Sequence, residues 1–205
     1  MNSVMHNIIE YWSRDYEVST GWRRDPTFEG PVEEAPLDPP DIVGEVLTAI
    51  GTGSAPVQVM CTSQRSRFDL AGRITAAMAT EGRVLVAYYE TYPVVAHKML
   101  EGLVPDTNVG HWNDARTVTL AEFAHVKDVR LAMFDSVVIL SGPRTRNEVV
   151  QKACRDAMTQ LASEAGDKVQ VEFALAHSVR MIAKPRLVVD VGQKIRSGLK
   201  VREER

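Results

Sequence analysis

The stretch VQVMCTSQRSRFDL, residues 57–70, decides the fold because a strand pattern passes directly into a helical one. Residues 57–62 are mainly apolar and predict a short buried strand, and residues 65–80 have apolar side chains at helical spacing. In a doubly wound α/β domain, the first such junction holds glycines that let a nucleotide or cofactor approach the backbone. This junction contains none, so the sequence predicts the fold with an altered ligand-binding turn.

The alternation of strand and helix patterns continues along the chain. Strands are predicted at 83–90, weakly at 107–112, and at 136–142, with helices at 93–103, 120–126 and 144–164. This alternation indicates parallel βαβ units, and hence an α/β fold: a Rossmann-like three-layer sandwich with a mostly parallel sheet. After residue 167, two β-rich runs have no helix-length segment between them. We therefore expect the sheet to end in antiparallel strands.

The N-terminal region has a different composition from the rest of the chain. Residues 4–16 have the apolar spacing of a short amphipathic helix, and a proline-rich acidic loop follows up to residue 40. We therefore predict an N-terminal extension over residues 1–40 and a single Rossmann-like domain over residues 41–205. Residues 178–205 hold eight basic and three acidic side chains. A solvated surface explains that excess, and an anionic partner is the alternative.

Several classes of protein are disfavoured by the sequence. No window approaches 18 uninterrupted apolar residues, and the N-terminus lacks the apolar core of an export signal, so we expect a soluble intracellular protein, cytoplasmic or nuclear. The net charge of −3 disfavours a generic nucleic-acid binder. The five histidines lack the spacing of a zinc site, and Cys61 and Cys154 are interpreted as two buried thiols, so no metal is expected.

Four stretches together resemble a known family. They are YWSRDYE near the start, PPDIVGEVLTAI before the first strand, ITAAMATEGRVLVAY, and RLVVDVGQKIRSGLKVRE near the end. They resemble the plant family of uncharacterised methyltransferase-like proteins built around a domain of unknown function. The resemblance implies the fold of class I methyltransferases, which ends in an antiparallel strand pair, and S-adenosylmethionine as the cofactor. It implies nothing about the substrate.

The resemblance also implies which residues border the cofactor at the first strand. In place of the family fold's glycine turn this chain has CTSQRSR, in which Thr62 and Ser63 could offer hydroxyls and backbone donors at a helix N-terminus. Side chains occupy the space that the cofactor would need, however. The alternative is that Ser63 or Ser66 is simply the N-cap of the helix.

Three further positions follow later strands. Glu90, at the end of the second strand, is placed to accept hydrogen bonds from the ribose hydroxyls, or else to cap the next helix. Asp114 is placed to contact the adenine amino group, or else forms a turn with Asn113. Ser141 is the nearest polar residue at the end of the strand where many methyltransferases have Asp or Asn. The resemblance therefore implies that Glu90, Asp114 and Ser141 belong to the cofactor site, and it identifies no catalytic residue.

Other polar groups near the expected mouth of the sheet have simpler interpretations. Arg144 and Arg146 could hold an anion at a helix start, although a solvated loop is favoured. His111 and Trp112 could contact a substrate, although a packed aromatic pair is favoured.

Two functional hypotheses follow. The first is a divergent methyltransferase that uses S-adenosylmethionine, with a small-molecule cofactor and an unknown substrate. The alternative is a non-catalytic binding or scaffold protein on the same fold, with a degenerate cofactor site. A weaker third hypothesis is a nucleic-acid accessory protein that uses the basic C-terminal end.

Overall fold

The computed structural model describes residues 41–89, 93–114, 116–142, 148–164, 166, 168–176 and 178–194. The predicted helix at 4–16 and the proline-rich loop up to residue 40 lie outside these residues, so the division at residue 40 stays a prediction. Residues 195–205 of the basic C-terminal end lie outside them too.

Strands such as Val57–Cys61, Val84–Tyr88 and Ser136–Leu140 lie close to the positions that the sequence patterns predict, whereas the helix predicted at 93–103 ends at Lys98. Asp41 starts the first helix by accepting a hydrogen bond from Gly44 N at 2.8 Å. In chain order the elements are α1 (Ile42–Gly51), β1 (Val57–Cys61), α2 (Gln64–Ala79), β2 (Val84–Tyr88), α3 (Pro93–Lys98), β3 (Val109–His111), β4 (Val118–Glu122), β5 (Ser136–Leu140), α4 (Glu148–Glu164), β6 (Val169–Leu175) and β7 (Leu187–Asp190), with short 3-10 helices at Asp106–Asn108, Phe123–Asp128 and Leu131–Met133.

The described strands form one seven-stranded sheet in the order β3-β4-β2-β5-β6-β1-β7, and every neighbouring pair is parallel. The predicted Rossmann-like α/β fold is confirmed. The predicted antiparallel ending is wrong, because β7 pairs parallel with β1, with Val57 opposite Leu187. The described residues of this connection, 176 and 178–186, contain no helix. An extended chain spans about 3.3 Å per residue, so the connection is still long enough to pass β1 and return to the amino end of the sheet.

The segment predicted as a helix at 120–126 is also different in the structure. Val118–Glu122 is strand β4, and a 3-10 helix follows it at Phe123–Asp128. Val118 and Leu120 are fully buried, because β4 lies between β2 and β3. Packing on both faces and hydrogen bonding on both edges outweigh a local pattern that fits a short helix.

Helices cover the sheet on both faces, which places the core in two layers. Connections that leave β1 and β2 run toward the β3 edge, whereas those that leave β4, β5 and β6 run toward the β7 edge. With right-handed crossovers, these two groups lie on opposite faces of the sheet. The face that carries α4 buries one cluster of side chains: Leu85, Ala87, Ala121, Phe123, Val126, Val129, Leu131, Phe134, Val137, Ile139, Cys154, Ala157, Leu161, Met181 and Ile182.

This topology determines where a crevice can open. The neighbours β2 and β5 send their connections in opposite directions, so the sheet's switch point lies between their carboxyl ends, where ligands of open α/β sheets bind. β1 and β2 are not neighbours, because β5 and β6 lie between them. At about 4.8 Å per strand, their ends are roughly 14 Å apart.

Candidate functional site

The junction of β1 and α2 is closed by a local network of hydroxyls. Ser63 is the N-cap of α2: its Oγ accepts a hydrogen bond from Ser66 N at 3.2 Å, and Ser66 Oγ accepts one from Ser63 N at 3.3 Å. This capping box is the alternative that the sequence left open for Ser63. Thr62, the other predicted cofactor residue of this turn, is exposed.

One turn into α2, the Arg67 side chain is fully buried beside the carboxyl ends of the central strands. Its Nη1 donates a hydrogen bond to the backbone oxygen of Ser141, the residue directly after β5. Its guanidinium carbon lies 4.8 Å from the centre of the Phe68 ring. β6 separates β1 from β5, so this one side chain extends over the ends of several strands. Sequence reasoning did not single out Arg67, although an arginine that replaces a glycine turn was a visible signal.

Arg67 also affects the thiol that ends β1. Burial raises the pKa of Cys61 to about 12, and the positive charge of Arg67 acts in the opposite direction. The Cys61 side chain is only 6% exposed. The thiol is therefore protonated and unreactive near neutral pH, as the interpretation of Cys61 as a buried thiol predicts.

Ser141 itself belongs to a buried network centred on Glu172 of β6. Glu172 is fully buried, and both carboxylate oxygens accept hydrogen bonds. Oε1 accepts from Ser141 Oγ and from Met181 N at 2.7 Å, and Oε2 accepts from Gln58 Nε2 at 2.8 Å and from Ile182 N at 3.0 Å. This network joins β1, the end of β5 and the β6–β7 connection. It was not predicted, because strand pairing brings Gln58 and Ser141 to Glu172 from 114 and 31 residues away in the sequence.

The hydrogen-bond network of Glu172 extends to the protein surface through the guanidinium of Arg180. Arg180 Nη1 donates to Gln58 Oε1 at 2.9 Å, so the Gln58 amide links a guanidinium to the Glu172 carboxylate. Ser178 Oγ lies 3.4 Å from the backbone oxygen of Ser141 and accepts a hydrogen bond from Leu175 N at 3.0 Å. These contacts occupy polar atoms that a ligand at this edge would otherwise use.

The switch point between β2 and β5 is narrow in its described part. A Cβ on Gly142 would lie 2.6 Å from the Cγ and Cδ2 atoms of Tyr89, so the Tyr89 ring packs directly over that glycine. Glu90, predicted to bind the ribose, lies outside the described residues, as do Arg144 and Arg146. Two predicted cofactor residues, Glu90 and Ser141, therefore follow the two strands that border the switch point.

Asp114 lies at the opposite side of the sheet from Thr62 and Ser63. It is exposed in the β3–β4 turn, and its Oδ2 accepts hydrogen bonds from Arg116 Nη2 at 3.2 Å and Nε at 3.3 Å. Five strand spacings separate β1 from β3, or roughly 24 Å. Thr62, Ser63 and Asp114 are therefore too far apart to form one compact crevice.

Aromatic side chains gather at the end of the sheet near β3. Trp112, directly after β3, stacks on His125 with ring centroids 4.8 Å apart and an interplanar angle of 11°. His125 Nδ1 lies 3.3 Å from Asp128 Oδ2. His97 of α3 faces His111 of β3, with centroids 6.2 Å apart and an angle of 13°. We call His97, His111, Trp112 and His125 the aromatic corner.

The aromatic corner corrects part of the sequence interpretation. The packed pair expected between His111 and Trp112 is replaced by two separate stacks, each with a partner from another element. Trp112 remains 36% exposed. Histidine spacing could not reveal this corner, because strand pairing and helix packing bring its residues together.

No family model, no curated protein and no solved structure matches the chain. Within the described ranges, no helix is both long and apolar enough to cross a membrane. Among the same residues, no group of three or more His, Cys, Asp or Glu side chains is placed to hold a metal ion.

Proposed function

We propose that this chain is a non-catalytic binding or scaffold protein, built on a Rossmann-like sheet whose cofactor site is degenerate. The observation that carries the proposal is the buried Arg67 side chain, which donates to the carbonyl of Ser141 across the carboxyl edge. A glycine turn leaves room there for a ligand to approach the backbone. In this chain a large cationic side chain fills that room.

The charge of Arg67 also opposes the cofactor implied by the resemblance. S-adenosylmethionine carries a positive sulfonium, and the resemblance places its methionine end near residues 62–66. An arginine stays protonated at all relevant pH values. A buried guanidinium on α2 would therefore repel the sulfonium in a region of low dielectric.

A second candidate function is a divergent S-adenosylmethionine-dependent methyltransferase. It is favoured by one observation: Ser141, directly after β5, borders the switch point between β2 and β5, and Glu90, expected to bind the ribose, follows β2 in the sequence. Arg67 donates to the backbone oxygen of Ser141, so a cofactor bound there would lie near its positive charge. Methyl transfer depends mainly on positioning the two reactants, so the lack of an identified base does not exclude it.

Thermal unfolding with S-adenosylmethionine and S-adenosylhomocysteine separates the two functions. A ligand at a hundredfold excess over its Kd stabilises the native state by about 2.7 kcal/mol. For a protein of this size, that raises the Tm by about 5 to 10 °C. The binding-protein proposal predicts that neither compound at millimolar concentration causes a rise that depends on Glu90.

A variant identifies the site if the Tm does rise. Glu90→Gln weakens the acceptor expected for the ribose hydroxyls. A rise that this variant abolishes would support the methyltransferase and contradict our proposal. Product detection with a labelled methyl group would then decide whether the bound cofactor reacts.

A further inference from the structure

The pocket beside the aromatic corner is separate from the Arg67 and Glu172 contacts. It has a volume of ≈ 520 Å³, which falls within the range of small-molecule sites. Leu100 and Val104 are buried and give it an apolar floor. His97 and His111 both line it.

The His97 and His111 rings are nearly parallel, and their present spacing is slightly less than a flat ring between them needs. Nonbonded carbon atoms in contact are about 3.5 to 4 Å apart, so a planar ring held between two parallel rings needs a gap of about 7 Å. The His97 and His111 centroids are 6.2 Å apart and their planes are within 13° of parallel. Trp112 and His125, at 4.8 Å, are already in contact. A planar ring therefore enters between His97 and His111 only if the exposed His111 side chain moves about 1 Å further from His97.

The charged groups of the pocket indicate what kind of ring would bind. Glu101 and Asp106 are exposed carboxylates on its wall, and Lys98 is the cation beside them. Carboxylates accept hydrogen bonds from the exocyclic amino groups of nucleobases, and a lysine suits a phosphate. Stacking alone would accept any flat ring, so the carboxylates supply the selectivity.

We propose that this pocket binds an amino-bearing nucleobase, adenine, guanine or cytosine, between His97 and His111. Glu101 and Asp106 accept from its amino group, and Lys98 pairs with the phosphate of a nucleotide. The base comes from a free nucleotide or from a residue of a single strand. This inference does not depend on the proposed function, because it concerns other residues.

Calorimetric titration of the full chain with AMP, GMP, CMP and UMP tests the proposal. We expect binding of the three amino-bearing nucleotides and weaker binding of UMP. His111→Ala should lower affinity by about 5- to 150-fold, the range found when a stacking side chain is removed. His111→Phe keeps a flat ring and should retain binding. His125→Ala is the matched control, because His125 belongs to the same corner without lining the pocket.

Three further measurements separate the outcomes. Glu101→Gln should reduce the preference for CMP over UMP while leaving UMP affinity nearly unchanged. A short single-stranded RNA that binds more tightly than the nucleotides, and loses affinity in His111→Ala, would place the base in a strand and support the site. Binding of RNA unaffected by His111→Ala would contradict it, as would no nucleotide binding at millimolar concentration.

S-adenosylhomocysteine also contains adenine, so one comparison keeps this inference distinct from the proposed function. Stabilisation by that compound that His111→Ala abolishes and Glu90→Gln preserves belongs to this pocket. The reverse pattern assigns it to the switch point and counts against this pocket. Circular dichroism and Tm of each variant without ligand confirm that it is folded.

Discussion

Replacing Glu172 by glutamine should destabilise the protein by an amount that its hydrogen bonds determine. The change keeps size and shape but turns one oxygen acceptor into an NH₂ donor. If the NH₂ replaces Oε1, the Ser141 hydroxyl can rotate and accept from it, whereas the backbone N–H of Met181 loses its acceptor. If it replaces Oε2, the N–H of Ile182 loses its acceptor instead, and Gln58 must flip away from Arg180. The first arrangement costs less.

The expected magnitude follows from that one unsatisfied group. A buried backbone N–H left without an acceptor costs about 1 to 3 kcal/mol. The Tm of Glu172→Gln should therefore fall by about 2 to 12 °C. Glu172→Met removes the acceptors of both Met181 and Ile182 and should cost roughly twice as much.

Urea unfolding followed by circular dichroism gives the free energies, provided that the m-value is unchanged. Glu164→Gln is the matched control, because Glu164 is an exposed glutamate for which such a change should alter stability by less than about 0.5 kcal/mol. If Glu172→Gln is as stable as wild type, or if Glu172→Met is the more stable of the two variants, the Glu172 carboxylate does not hold this edge together and the reasoning is refuted.

One further substitution and one labelling experiment test the residues next to this network. Ser63→Ala removes the cap of α2 and should lower the free energy of unfolding by about 1 kcal/mol, whereas Ser63→Asp should keep most of it; equal losses in urea unfolding would argue against the capping box. Cys61 should resist alkylation at pH 8 until the protein unfolds, because burial raises its pKa from 9.0 to about 12. The unfolded thiol ionises near pH 9 while the native one stays protonated, so its contribution to stability is full below pH 9 and is lost as the pH rises toward 12. Rapid labelling of native Cys61 would contradict this.

The sequence predicted the elements well and their arrangement only in part. Mainly apolar runs such as 57–61 and 136–140 locate strands, because a strand that is covered on both faces must be apolar. Such runs do not indicate the order of the strands in the sheet. The separation of β1 from β2 depends on long-range pairing, and so does the parallel ending at β7. A short connection without a helix suggested a hairpin, although residues 176–186 suffice for a crossover.

The candidate site was predictable only where the signal was local. Ser63 at the start of α2 is a cap that sequence alone could suggest, and it did. Glu172 lies in strand β6, and its hydrogen-bond partners Gln58 and Ser141 come close to it only because β1 and β5 both pair with β6. The pairing of His97 with His111 depends likewise on the placement of α3 beside β3.

The position of β1 has a consequence for how the chain matures. Its partners begin at Val169 and Leu187, so most of the polypeptide must be synthesised before β1 can join the sheet. Until then Val57 and Val59, fully buried in the native state, lack their strand partners in β6 and β7. Contacts between residues this far apart slow folding and prolong exposure to aggregation. In a chain truncated before residue 169, β1 would remain an unpaired apolar strand and would be prone to aggregate.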